Sequence, residues 1–178
     1  MKILAFGAST SKSSINQQFA HFAAHQFKGE VNMIDLNDFE MPVFSVDKEK
    51  EEGHPVEGHE LLEVIENSDF LVISMSEHNG SYTAAFKNTL DWCSRINNAV
   101  FAGKPVLLIS TSPGKLGAKF SLEAALSRFP RHSANVIGHF SLPSFGENFQ
   151  DGKIVNEELA KEFNDLLQHV KATLTELK

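Results

Sequence analysis

Short aliphatic runs bounded by glycine, serine or proline alternate along this chain with longer segments whose apolar residues recur every three or four positions. The runs Ile3–Phe6, Val31–Asp35, Phe70–Ser74, Val106–Ser110 and Asn135–Phe140 have strand length and predict five strands, each apolar enough to be covered on both faces. Between them, Ile15, Phe19, Phe22, Ala23 and Phe27 form one helical stripe, and Phe86, Leu90 and Cys93 form a second. Leu122, Ala125, Leu126 and Phe129 form a third, and Leu159, Phe163, Leu166, Leu167, Val170 and Leu174 a last. Strands alternating with helices predict an α/β fold, a doubly wound five-stranded parallel sheet of order 2-1-3-4-5 with helices on both faces. The chain reads as one domain over residues 1–178, with no internal repeat.

One stretch breaks the rhythm. From Leu36 to Gly58 the chain carries Met41-Pro42-Val43 and then the mixed-charge run Asp47–Glu52, which reads as solvated surface or as a lid.

In a doubly wound sheet the ligand sits beyond the carboxyl ends of the strands, where the winding reverses. Three loops fall at that edge. The first, Gly7–Asn16, is small, rich in hydroxyls and leads into a helix, so its unpaired amides and the helix dipole favour an anion such as a phosphate monoester. Helix capping by Ser13 or Ser14 explains the same residues equally well. The second, Ser76–Thr83, contains Asn79-Gly80, a pair that tolerates the positive φ of a tight backbone. The third, Ser110–Gly117, has Pro113-Gly114 and a second glycine that let the backbone approach a flat ring. A phosphate pocket beside a planar pocket suggests flavin mononucleotide.

Composition narrows the alternatives. A net charge of −7 leaves few cations to cluster on a phosphate backbone, which argues against nucleic acid. The single cysteine, Cys93, cannot close an intramolecular disulfide and repeats its helix's apolar stripe, which suits a reducing, cytoplasmic setting and core packing. No apolar run has the length of a spanning helix, and Met1–Phe6 reads as a strand and not a leader. The first loop matches neither G-x-x-x-x-G-K-[ST] nor G-x-G-x-x-G, which disfavours ATP hydrolysis and a Rossmann dinucleotide. His21 and His25 share a helix face without a third ligand nearby, so no metal site is assigned. Asn79-Gly80-Ser81 also fits a glycosylation acceptor, a match without meaning in the cytoplasm.

Glu77, Asn79-Gly80-Ser81, Lys87-Asn88 and Asp91-Trp92 resemble the P-E-Y-N-G-S and L-K-N-A-I-D-W patterns of the NADPH-dependent FMN reductases, a family of flavodoxin-like quinone, azo-dye and chromate reductases. The spacing of Ser9, Ser14 and Asn16 resembles that family's phosphate loop, and Ser112-Pro113-Gly114 with Gly117 resembles its third flavin loop. The likeness runs from about Lys2 to Phe140. It implies that Ser9, Ser11, Ser14, Ile15 and Asn16 hold the FMN phosphate. It also implies that Ser76 belongs to the cofactor-binding set and that Glu77, His78, Asn79, Gly80, Ser81, Ser112, Pro113, Gly114, Lys115 and Gly117 line the ring. NADPH or NADH would be a transient co-substrate, a small molecule the acceptor, and a homodimer or homotetramer the assembly. The implied mechanism is ping-pong hydride transfer without a catalytic acid or base. Three positions depart from the pattern: Ser11 replaces an arginine, Ser76 a proline and His78 a tyrosine. The alternative reading is a flavin-binding electron carrier or sensor whose acidic surface docks a basic partner, without nicotinamide turnover.

Overall fold

The computed structural model describes residues 1–177. Five strands pair in parallel: β1 (Lys2–Gly7), β2 (Glu30–Met33), β3 (Phe70–Met75), β6 (Pro105–Thr111) and β7 (Asn135–Leu142). Two hairpins lie outside this sheet, β4 (Glu77–His78) with β5 (Ser81–Tyr82), and β8 (Phe149–Gln150) with β9 (Lys153–Ile154). The helices are α1 (Ile15–Ala24), α2 (Val46–Glu52), α3 (Val56–Glu66), α4 (Ala84–Ile96), α5 (Lys119–Arg128), the one-turn α6 (Phe145–Asn148) and α7 (Glu157–Glu176). The sheet order is β2-β1-β3-β6-β7, which is the expected 2-1-3-4-5.

Burial explains why the central strands were legible. β3 is buried at every position and β6 at all but Pro105, because helices cover both faces. On one side Leu61 and Ile65 of α3, Phe86, Leu90 and Cys93 of α4, and Leu122 and Ala125 of α5 pack on the sheet. On the other, Phe19 and Ala23 of α1 meet Phe163, Leu167, Val170 and Leu174 of α7. The expectation of two covered faces fails at both edges of the sheet: in β7 only Phe140 and Leu142 are buried, and β2 alternates exposed and half-buried positions and ends at Met33 rather than Asp35. Asp35 instead accepts the Asn37 amide and starts a short 3-10 turn. Phe27 is buried but lies past the end of α1, and Phe129 belongs to a 3-10 turn after α5. Part of the expected loop over 36–58 is helical, since Ser45 caps α2 by accepting the Lys48 amide.

Cys93 is 1% exposed, and burial pushes its thiol up to about 12. The unfolded chain therefore releases this proton first, and the thiol's share of stability declines as pH rises from the ordinary thiol range toward the folded value. Native protein at pH 8 is expected to resist iodoacetamide and to react fully only after denaturation. Alkylation of the native chain at the rate of the denatured one would show an accessible thiolate instead.

Candidate functional site

The order of the sheet reverses between β1 and β3, and the loops following β1, β3 and β6 meet at the carboxyl edge there. β1 ends at Gly7, whose amide donates to Gln17 Oε1 at 2.6 Å. A side chain on Gly7 would collide with the backbone of Asn16 and Gln17, so glycine is what lets α1 start directly over the strand end. The loop then folds on itself: the Ser11 amide donates to Ser9 Oγ at 3.1 Å and the Ser14 amide to the Ser11 carbonyl at 3.1 Å. Ser14 is the N-cap of α1, its Oγ accepting the Gln17 amide at 3.1 Å. The next two amides, of Ile15 and Asn16, donate to no protein group. Capping and an anion-ready helix start therefore coexist, because the serine takes one orphan donor and leaves others open.

Asn16 has a second task that its sequence position conceals. Its side chain is 3% exposed; Oδ1 accepts Ser74 Oγ–H at 2.7 Å and the Thr111 amide at 3.0 Å, while Nδ2 donates to the Thr111 carbonyl at 3.0 Å. The amide group thus staples the start of α1 to the ends of β3 and β6. Both lone-pair directions of Oδ1 and one Nδ2–H are thereby used, which leaves the backbone N–H and the second Nδ2–H without a protein partner.

The second loop opens with Ser76, Glu77 and His78. Glu77 Oε2 accepts the Ser121 amide at 3.0 Å, and Ser121 Oγ donates to the Ser76 carbonyl at 2.8 Å. Since Ala118 gives α5 no side-chain cap, Glu77 supplies one from outside the helix. Asn79 (φ 52°) and Gly80 (φ 72°) make the two-residue turn between β4 and β5, the backbone for which Asn-Gly is suited. Thr83 then caps α4 by accepting the Phe86 amide and donates to the Ala8 carbonyl at 3.0 Å, joining the second loop to the first.

Together the loops enclose a cleft of about 240 Å³ lined by Ser9, Ser11, Ser13, Ser14, Ile15 and Asn16, by Ser76–His78, and by Thr111, Ser112 and Pro113. Ten of the sixteen expected residues line it. Asn79, Gly80 and Ser81 are exposed on the hairpin turn and do not, and neither do Gly114, Lys115 or Gly117. The Gly114 carbonyl accepts the Gly117 and Ser144 amides, and the Gly117 carbonyl accepts Ser110 Oγ–H and Ser141 Oγ–H, so these two build the third loop from behind. Ser13, read only as a cap candidate in place of which Ser14 caps α1, and Thr111, not singled out, also line the cleft; both belong to loops that were. A larger hollow of about 770 Å³ lies against α1 and Met33 of the edge strand, but it lacks the convergent loops of the carboxyl edge. Among the described residues no group of three or more His, Cys, Asp or Glu could hold a metal.

The second half of the long motif acts at a distance from the cleft. Asn88 Oδ1 accepts the Phe44 amide at 2.8 Å, and its Nδ2 donates to the Met41 and Pro42 carbonyls at 3.1 and 3.0 Å. Trp92 Nε1 donates to the Pro42 carbonyl at 2.7 Å, and Phe44 stands edge-on to the indole with centroids 4.9 Å apart. Arg95 pairs with Glu49 at 2.9 Å and holds that carboxyl below the ordinary range. The irregular stretch 41–49 is consequently bound down along α4. Lys87 and Asp91 pair with each other along the same helix at 2.7 Å.

Comparison with known proteins agrees with this fold. The pattern of the family described as NADPH-dependent FMN reductase matches residues 1–147. A quinone reductase of Escherichia coli (strain K12) is 31% identical over 144 residues, covering 74% of this chain and 76% of the relative. An NADPH azoreductase of Bacillus sp. (strain OY1-2) is 25% identical over 178 residues, covering 100% and 95%. Among solved structures, FerB, a flavoenzyme NAD(P)H:(acceptor) oxidoreductase from Paracoccus denitrificans, superposes with a TM-score of 0.71 at 21% identity, covering 96% of this chain and 97% of that one. The last likeness is one of fold.

Proposed function

The chain belongs to the NADPH-dependent FMN reductase family, and from that premise we infer that it is an FMN-dependent NAD(P)H oxidoreductase whose cofactor lies in the carboxyl-edge cleft. The observation that carries the reading is the start of α1, where the amides of Ile15 and Asn16 stand unpaired beside the hydroxyls of Ser9, Ser11 and Ser14. That donor set fits a phosphate, and the one carboxylate on the cleft, Glu77, is engaged by Ser121. Ser76, Glu77 and His78 on one side and Ser112 and Pro113 on the other would border the flavin, Glu77, His78, Ser112 and Pro113 its ring. Asn79, Gly80, Ser81, Gly114, Lys115 and Gly117 would shape those loops from outside.

FMN, when bound, supplies the centre that takes a hydride from reduced nicotinamide and passes it to a quinone, azo or flavin acceptor. The protein's part is positioning. Hydride transfer requires reacting atoms held at about 3–3.5 Å, which rigid loops achieve without an acid or base. Here Asn16 fixes the loop after β1 against the ends of β3 and β6, Thr83 fixes the second loop against the first, and Glu77 fixes it against α5. His78 is exposed at the cleft, so one side stays open for nicotinamide and acceptor in turn. Ser11, where the family pattern carries arginine, brings no charge with which to favour NADPH over NADH. The reading extends to a single domain, a homodimer or homotetramer, and a cytoplasmic setting, the last in keeping with the absence among the described residues of any helix able to cross a membrane.

Protein reconstituted with FMN is expected to oxidise NADH or NADPH in the presence of a quinone, azo dye or free flavin. Failure of both nicotinamides to bleach the bound flavin in stopped-flow mixing overturns the reductase reading in favour of an electron carrier.

A further inference from the structure

Among the described residues two buried side-chain oxygens have no hydrogen-bond partner, Ser76 Oγ and Tyr82 Oη. Tyr82 packs among Phe86 and Phe129, away from the cleft. Ser76 is different: it is 6% exposed and lines the cleft. Its surroundings are otherwise satisfied. Its own carbonyl receives Ser121 Oγ–H at 2.8 Å, and Ser74, two residues earlier, is held by Asn16 at 2.7 Å. The backbone is therefore fixed from both sides while one hydroxyl is left over. Buried hydroxyls are seldom left unpaired, because desolvation without a partner is unfavourable. Tyr82 Oη is left so inside the core, whereas Ser76 belongs to the wall of the cleft, where a bound molecule can supply the partner.

The order of strands says which part of the ligand. Along the carboxyl edge the loops follow β1, β3 and β6 in that order, so Ser76, the first residue after β3, stands between the unpaired amides after β1 and the third loop after β6. A molecule with its phosphate at α1 and its ring toward the third loop crosses Ser76 with the hydroxylated chain that joins the two. We propose that Ser76 Oγ hydrogen-bonds a hydroxyl of this polyol chain and is a binding residue for it. The inference rests on the FMN reading above. The hydroxyl is a feature of this chain, since the family pattern that the loop resembles places proline at the position.

The test uses flavin-free protein titrated with three flavins and followed by quenching of flavin fluorescence. FMN has ring, chain and phosphate; riboflavin lacks the phosphate; lumiflavin lacks the chain as well. Ser76→Ala is expected to raise the Kd of FMN and of riboflavin about fivefold to tenfold, as befits one lost neutral hydrogen bond in a buried site, and to leave lumiflavin within about twofold. The same variant without flavin should melt at the wild-type temperature or above, because it removes an oxygen that had no partner. Ser76→Thr, which keeps a hydroxyl, should bind FMN within about threefold of wild type. An unchanged FMN Kd in Ser76→Ala, an equal loss for lumiflavin, or a lower melting temperature for the flavin-free variant each overturns the proposal. Wild-type protein that binds none of the three flavins overturns the FMN reading itself, and the assignment of Ser76 with it.

Discussion

Asn16→Ala is expected to destabilise the protein by about 3–4 kcal/mol, a large share of the roughly 5–15 kcal/mol that holds a domain together. The variant deletes three hydrogen bonds and strands their partners: Ser74 Oγ in a residue with no exposure, and the amide and carbonyl of Thr111, itself 1% exposed. Each stranded buried group costs about 1–3 kcal/mol, more than the bond that was lost, because water cannot replace the partner. Local relaxation will recover part of the sum, hence the lower total. Urea denaturation should show a lower midpoint at an unchanged slope. Flavin affinity should fall with it, since the three loops lose their common anchor. A loss below about 1 kcal/mol would mean that the staple is dispensable and that Asn16 serves the ligand through its side chain after all.

Asn16 also shows what the sequence could and could not disclose. It was legible as a site residue because it sits in a hydroxyl-rich loop at a helix start, and such loops gather at the carboxyl edge. Its side chain's destination was not, because Ser74 and Thr111 lie 58 and 95 residues further on and nothing local distinguishes an amide aimed at a phosphate from one aimed at two strand ends. Asn88 and Trp92 carry the same lesson: they read only as parts of a motif, whereas their partners are the carbonyls of Met41 and Pro42, more than forty residues away. The central strands were plain because burial on both faces writes an unbroken aliphatic run. β2 was drawn too long because an edge strand, covered on one side only, can end wherever a polar cap competes, here at Asp35. The β4–β5 hairpin did carry a local signal in Asn79-Gly80, but two-residue strands have no periodicity, so the turn read only as a loop suited to a ligand.

Ser14→Asp separates the two roles of the helix start more sharply than any truncation. Aspartate caps helices about as well as serine, accepts the same Gln17 amide, and gains from the positive end of the helix dipole, so the folded chain should be as stable as wild type or about 0.5 kcal/mol more so. The ligand meets the opposite situation. A carboxylate within a few ångströms of a phosphate opposes it by about 4 kcal/mol per charge pair at an effective dielectric constant near 20, and solvent at this open cleft reduces that figure. A rise of about 100-fold in the FMN Kd is expected, equivalent to about 2.8 kcal/mol. Riboflavin, which has no phosphate, should bind the variant within about threefold of wild type, because only the charge is penalised and the loops keep their shape. The comparison is internal: equal losses for both flavins would place the damage in the architecture, and no loss for FMN would place its phosphate somewhere other than the start of α1. With the fold intact by circular dichroism, the ratio of the two affinities reads out whether the orphan amides of Ile15 and Asn16 face an anion.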